Sequence, residues 1–167
     1  MKQANNWKLY NALAALLLVA CAVIFYTTKT SSSEAYMHCN AKAIMHFDDI
    51  DTQTINANIH FDFNKNGVGY LVVEGYTNAN KNKKYLQRYV KFDFSATKIS
   101  KHYYGYNITK WESSKSVIDE SQDVYFQYFI REMSNGTSNL QIISEKLNQK
   151  TVLLSSINAP LFVCSIV

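Results

Sequence analysis

Residues that break regular structure are scarce in this 167-residue sequence, which has five glycines and a single proline, Pro160. No fixed-period repeat and no low-complexity tract interrupts it. The short motifs of common enzymes are also missing, since there is no G-x-S-x-G, no glycine-rich phosphate loop and no H-E-x-x-H. The four histidines lack metal-ligand spacing. We therefore expect no catalytic activity, no cofactor and no metal site.

A basic tract is absent as well. Only Lys2 and Lys8 precede or enter the first long apolar stretch, and the chain beyond Tyr26 carries fifteen basic and thirteen acidic residues. A formal charge of +2 over that part is too balanced for a nucleic-acid-binding surface, and no basic run has interleaved aromatic residues. We expect no direct contact with nucleic acid.

Aromatic residues, by contrast, are abundant, with twelve tyrosines and nine phenylalanines. Together with the β-branched residues they favour sheet over helix. The clearest alternation of apolar and polar residues covers 55–63, and the Asn66-Gly67 pair after it predicts a hairpin turn. Seven or eight short segments of this kind predict an all-β, mainly antiparallel domain, either a small β-barrel or a sandwich. A barrel of this strand number has room for one small ligand.

The longest apolar stretch is Trp7–Tyr26. At about 1.5 Å rise per residue it can just cross a hydrocarbon core of roughly 30 Å. The lysines near its start, with no acidic residue to offset them, place the N-terminus in the cytoplasm. The predicted organisation is thus a cytoplasmic tail at 1–6, a transmembrane helix at 7–26, a tether at 27–35 and an exported β domain at 36–167.

Two alternatives to this anchor remain open. Ala20-Cys21-Ala22 matches the small-residue pattern of a signal-peptide cleavage site. The segment Leu18–Cys21 is similar to a lipobox, in which Cys21 would carry the lipid of a bacterial lipoprotein. In both cases the mature chain would begin with an exposed apolar segment, which is unusual.

The other two cysteines, Cys39 and Cys164, lie near the two ends of the predicted β domain. An oxidising compartment favours a disulfide bond between them, and the alternative is two unpaired buried thiols. Such a bond would close a very long loop, which chain-entropy arguments make strongly stabilising.

The segment Asp123–Met133 is apolar on both faces when it is drawn as an extended chain. We interpret it as a strand that is buried on both sides or covered by a partner, rather than as an amphipathic helix. The segment therefore supplies our candidates for a partner or ligand surface: Tyr125, Phe126, Tyr128 and Phe129.

Histidine titrates in the physiological range, and the environment of an exported domain follows the pH outside the cell. Three histidines fall on separate predicted strands or turns and are candidates for pH sensing: His46, His60 and His102. The alternative is that they are ordinary surface residues.

Taken together, several features resemble the FidL-like inner-membrane proteins of enteric bacteria. They are the short N-terminal anchor, Cys39 soon after it, the strands GVGYLVVEGY and YLQRYVKFDF, and the closing Pro160…Cys164. Proteins of this kind are similar to the ToxS, VtrC and PsaF/MyfF partners of membrane-anchored transcription factors. The resemblance implies that two periplasmic domains assemble, in some cases into a shared β-barrel that takes up a hydrophobic signal such as a bile salt. It also implies pairing of Cys39 with Cys164.

The function expected from the sequence is that of a non-enzymatic periplasmic co-component in the bacterial inner membrane. It would form a heterodimer with a transmembrane winged helix-turn-helix regulator, stabilise it and modulate it, and take part in signal transduction. The alternative is a cell-envelope lipoprotein with a structural or adhesive role, anchored through Cys21.

Overall fold

The computed structural model describes residues 3–30, 35–47, 53–79, 82–134 and 140–167. The chain divides into two compact units between Glu34 and Ala35. The first contains one helix, α1 (Gln3–Thr30), which extends beyond the predicted 7–26 segment at both ends and includes the first part of the predicted tether. Residues 31–34 of that tether lie outside the described residues. Every side chain from Tyr10 to Ile24 is exposed.

The second unit is a closed barrel of eight antiparallel strands in sequence order, with the last strand returning to the first. This confirms the predicted all-β class, as a barrel rather than a sandwich. A short helix, α2 (Asp123–Glu132), lies between the fifth and sixth strands. The strands are β1 (Met37–Phe47), β2 (Gln53–Phe63), β3 (Val68–Ala79), β4 (Asn82–Lys98), β5 (Tyr103–Lys115), β6 (Leu140–Lys146), β7 (Thr151–Ser155) and β8 (Pro160–Ile166).

Alternation of apolar and polar residues decides which side chains fill the barrel. In β2 the residues with odd numbers from Ile55 to Phe63 are buried, as the sequence pattern predicts. Aromatic rings form the centre of the core, where Phe63 stacks on Tyr106 with ring centroids 4.2 Å apart. The hydroxyl of Tyr106 donates a 2.7 Å hydrogen bond to the carbonyl of Ala35, which satisfies its polar end inside the core.

Glycine is required at two places, in the turn before β3 and within β3. Gly67 closes the predicted hairpin with φ of 78° and donates a 3.2 Å hydrogen bond to the carbonyl of Asn64. Gly75 lies against β2 so closely that a Cβ atom on it would stand 2.1 Å from the carbonyl oxygen of Asn56. The close approach at Gly75 explains why glycine interrupts an otherwise apolar and aromatic strand.

Strand pairing around the barrel is uneven. β2, β3 and β4 pair over most of their length, but β1 meets β8 at only two positions, Cys39↔Ile166 and Asn40↔Ser165. The register between β4 and β5 shifts at a bulge beside Asp93, which leaves Thr109 without a partner in the ladder. Before the bulge β5 pairs with both β4 and β6, and after it β5 pairs with β4 alone within the described chain.

The prediction that Asp123–Met133 forms a strand is wrong, since Asp123–Glu132 is the helix α2. Its buried residues recur at helical spacing: Tyr125, Phe126, Phe129 and Ile130. Val124, which the strand interpretation placed with Phe126 and Ile130, is instead exposed. The two apolar faces of the extended drawing are therefore one broad face of a helix.

The end of the chain forms two strands, β7 and β8, which are separated by a turn at residues 156–159. The turn is held by Ser156, whose hydroxyl donates to the carbonyl of Ala159 at 3.2 Å and accepts from the Asn158 amide at 3.3 Å.

Candidate functional site

A cavity of about 610 Å³ lies between α2 and the inner side of β4 and β5. Apolar side chains from three elements line it, among them Trp111 of β5, Phe126 of α2 and Leu140 of β6. Cationic side chains line it too: Arg88, Lys115 and Arg131. An apolar enclosure with a few convergent polar groups is the usual form of a small-molecule site in proteins.

Arg88 is the central polar residue of this cavity. Its position on β4 points it inward, in step with Leu86 and Val90, and the residue is only 5% exposed. The guanidinium Nε donates to the Asp119 carboxylate at 2.7 Å, and Nη2 lies 2.7 Å from the carboxylate of Asp123 at the start of α2. Arg88 therefore ties β4 both to the loop after β5 and to α2.

The carboxylate of Asp119 is buried and accepts hydrogen bonds from three residues. Besides Arg88, the backbone N–H of Gln87 donates at 3.0 Å, and the N–H and hydroxyl of Ser121 donate at 2.7 and 2.6 Å. Burial alone would raise the pKa of the Asp119 carboxyl, but the hydrogen bonds from Ser121, Gln87 and Arg88 outweigh burial and hold the pKa below its ordinary value. Asp119 is thus ionised and fixed in place.

The other two cations are less constrained by protein carboxylates. Lys115 Nζ donates to the carbonyl of Ser121 at 2.6 Å and lies 3.7 Å from Asp119. The Arg131 guanidinium lies over the ring of Tyr128, 4.9 Å from its centroid. The cavity therefore combines apolar walls with three cationic side chains and one carboxylate, that of Asp123, so an anionic or amphipathic molecule could approach it.

The residues predicted for a partner or ligand surface do not all lie at the surface. Tyr125 and Phe129 are buried, with Phe129 stacked on Phe162 of β8 at a centroid distance of 6.1 Å. Phe126 is buried but lines the cavity, and Tyr128 is half-buried against Phe47. Helical spacing turns Tyr125 and Phe129 towards the core, so of the four candidates Phe126 is the one that lines the cavity.

The three histidines proposed for pH sensing are not brought together. His46 shares a 3.3 Å hydrogen bond with the Thr54 hydroxyl, and His60 is hydrogen-bonded to the side chain of Asn40. Both bonds lie on the outer side of the β1–β2 pair. His102 is exposed in the turn before β5. In the described parts of the chain, no group of three or more His, Cys, Asp or Glu residues is arranged to hold a metal ion.

The disulfide bond predicted between Cys39 and Cys164 is present, and Cys21 is not bonded. A disulfide bond connects Cys39 of β1 with Cys164 of β8, both fully buried, beside the short β1–β8 pairing. Cys21 is an exposed, unbonded residue of α1.

Sequence reasoning missed Arg88 and Asp119. Arg88 alternates with outward residues in the same way as Leu86, Val90 and Phe92, so the sequence places it on the inner side of the strand. A charged residue at an inward position is unusual and could have indicated a buried ion pair. Asp119 lies in a polar segment that gives no such signal, since only the folded loop brings it next to Arg88.

Comparison with known proteins gives one family. The family described as "FidL-like putative membrane protein" matches residues 75–164, from β3 to β8. This range contains α2, the cavity-lining residues and Cys164. No curated protein matches the chain. Among the described residues, no helix combines the length and the apolar character needed to cross a membrane. Because the matched segment covers more than half of the sequence, the chain belongs to the FidL-like family of membrane proteins.

Proposed function

We propose that this protein is a non-enzymatic co-component of the inner membrane that binds, stabilises and modulates a transmembrane regulator with a cytoplasmic winged helix-turn-helix domain. The observation that carries the proposal is the cavity at α2. A binding site built from a helix, the inner side of two strands and a fixed ion-pair network suits a protein that responds to a molecule or a partner.

We further propose that the cavity takes a small amphipathic anion such as a bile salt. Phe126, Ile130 and Leu140 would contact its apolar part, and Arg131 and Lys115 would face its acidic group. Arg88 already has two carboxylate partners, so its role is to hold the cavity in shape.

The fluorescence of Trp111 tests whether the cavity binds such a ligand. Trp7 and Trp111 are the two tryptophans, so a Trp7→Phe background reports on the cavity alone. Titration with a conjugated bile salt should change the emission and saturate, and Arg131→Gln should weaken binding by about tenfold if one charge-assisted hydrogen bond is lost. The matched control is Lys91→Gln, a cation on the outer face of β4, which should bind like the parent. Equal weakening in the two variants, or no saturation, would remove the ligand from the proposal.

The compartment and the anchor are part of the proposal. The buried disulfide supports an oxidising location such as the periplasm for the β domain. We propose that α1 holds the chain at the membrane with its N-terminus in the cytoplasm. Alkaline phosphatase fused after Val167 should be active, and the chain should stay with the membrane after carbonate washing. Palmitate labelling that depends on Cys21 would instead indicate a lipid anchor.

The proposed effect of this chain on the regulator is tested in cells. The candidate is a single-span winged-helix protein encoded next to this chain. Deletion of this chain should shorten the regulator's half-life, and re-expression should restore it. A regulator that is equally abundant and equally active without this chain would contradict the proposal.

A further inference from the structure

One end of the barrel is the end at which the chain enters it. Because the strands are antiparallel and in sequence order, the start of β1 shares this end with the β2–β3, β4–β5 and β6–β7 turns and with the end of β8. Backbone hydrogen bonds join its neighbouring parts. The N–H of Lys146 donates to the carbonyl of His102 at 2.9 Å, and the N–H of Ile166 donates to the carbonyl of Lys150 at 2.8 Å. We call this region the entry end.

Lysine is concentrated on two adjacent turns of the entry end, residues 98–102 and 146–150, which we call the lysine turns. They carry four exposed lysines: Lys98, Lys101, Lys146 and Lys150. Neither segment contains an acidic residue. Glu145, directly before the second segment, accepts a 2.5 Å hydrogen bond from the hydroxyl of Tyr103. The lysine turns therefore present four positive charges with one carboxylate beside them.

Each lysine turn also exposes one large aliphatic side chain. Ile99 is 59% exposed and Leu147 is 51% exposed, and each directly follows a lysine in the sequence. Both residues are held by their backbone, since the N–H of Ile99 donates to the carbonyl of Tyr103 and the N–H of Leu147 to that of Thr151, each at 3.0 Å. An aliphatic side chain that protrudes from a fixed turn beside lysines can enter the boundary between lipid headgroups and acyl chains.

The type of cation distinguishes a lipid surface from a protein partner. Both arginines of the sequence, Arg88 and Arg131, line the cavity, so the charged groups of the lysine turns are ammonium groups. Protein interfaces are depleted in lysine and enriched in arginine and aromatic residues. Lysines beside aliphatic side chains are instead typical of segments that lie on anionic bilayers. A second copy of the chain would bring like charges together, which opposes association.

We propose that the entry end of the barrel docks on an anionic phospholipid bilayer, with the lysine turns at the phosphate groups and Ile99 and Leu147 in the headgroup boundary. The route of the chain supports this occupant. Four residues separate the end of α1, at Thr30, from Ala35, where the β domain begins, and the chain belongs to a family of membrane proteins. Docking in this way directs the opposite end of the barrel, where α2 follows β5, away from the bilayer.

Acetylation of lysine, measured by mass spectrometry, tests the docking on the unmodified full chain. The chain is placed in nanodiscs of phosphatidylcholine alone or of an equal mixture of phosphatidylcholine and phosphatidylglycerol. Lysines of the lysine turns should react at least about fivefold more slowly in the anionic discs, since one lysine near an anionic surface gains about a fivefold preference for it. Concentrated salt should remove the protection, because at 1 M the screening length is only about 3 Å.

The same chain supplies the controls for charge and the matched pair for depth. Lys42, Lys91 and Lys110 are exposed on the outer side of the barrel and should react at equal rates in the two kinds of disc. For depth, Leu147→Trp in a Trp7→Phe, Trp111→Phe background should be quenched by lipids with brominated acyl chains in the anionic discs. Ile157→Trp in the same background should not be quenched, since Ile157 is also 51% exposed but lies in the β7–β8 turn at the opposite end.

Equal acetylation of the lysine turns in neutral and anionic discs would overturn the docking, as would equal slowing at Lys42, Lys91 and Lys110. Slowing in neutral discs that grows with the number of chains per disc would identify a second copy as the occupant and overturn it too. Slowing in neutral discs only after the regulator is added would do the same in favour of a protein partner. The docking goes beyond the proposed function, because it needs neither the regulator nor the ligand of the cavity. A regulator that fails to bind would therefore contradict the proposed function and leave these acetylation rates unchanged.

Discussion

The disulfide bond should contribute a large part of the stability of the β domain. Cys39 and Cys164 are 125 residues apart, and the chain-entropy relation for a loop of that length gives about 5 kcal/mol. The bond also lies where β1 and β8 share only two paired positions, so little else holds the first and last strands together. We expect reduction of the bond to lower the free energy of unfolding by about 3 to 5 kcal/mol, which is most of the entropic term.

Denaturant unfolding of the full chain in detergent micelles, with and without reductant, measures this difference. Reduction leaves the side chains in place, so the difference in the free energy of unfolding reports the effect of the cross-link alone. The double variant Cys39→Ala, Cys164→Ala adds the loss of two buried sulfur atoms and should be somewhat less stable than the reduced parent. A reduced protein within about 1 kcal/mol of the oxidised one would refute the argument that the bond limits the unfolded chain.

Three further predictions concern the ion pair, the helix and a glycine. Asp119→Asn should cost about 3 to 5 kcal/mol, because it leaves the buried Arg88 guanidinium without its main partner. The pKa of Asp119 is lowered in the folded protein, so its contribution to stability is complete above the unfolded-state pKa of about 4. That contribution is lost as the pH falls through the folded-state pKa. The check is the slope of stability against pH, which should be reduced below about pH 4 in Asp119→Asn. Phe129→Ala should cost about 3 to 5 kcal/mol through a core cavity, while Val124→Ala on the exposed side of α2 should change stability by less than about 0.5 kcal/mol; equal effects in denaturant unfolding would contradict the burial of α2. Gly75→Ala should destabilise by about 3 kcal/mol or more because its Cβ would overlap backbone atoms of β2, and a melting temperature equal to that of the parent would show that the strands can separate there.

The barrel was predictable because its strands follow simple alternation. The buried residues of β2 and the turn at Gly67 follow directly from the sequence pattern. The choice between a barrel and a sandwich was not predictable, since it depends on β8 returning to β1, a contact between residues far apart in the sequence.

The helix α2 shows why the candidate site was only partly predictable. In an extended drawing Tyr125 and Phe126 lie on opposite faces, but in a helix they share one broad buried face. A short, densely aromatic segment satisfies both periods, so periodicity alone could not decide. The network around Arg88 was hidden for a different reason, because Asp119 reaches it only through the folding of the loop after β5.

The most direct test of the central claim is the equilibrium affinity between the full chain and the full-length regulator that we propose as its partner, both in lipid nanodiscs. The account predicts saturable binding at about micromolar concentrations or tighter, as for a specific protein interface. Two folded proteins that show no binding at any accessible concentration would contradict the account.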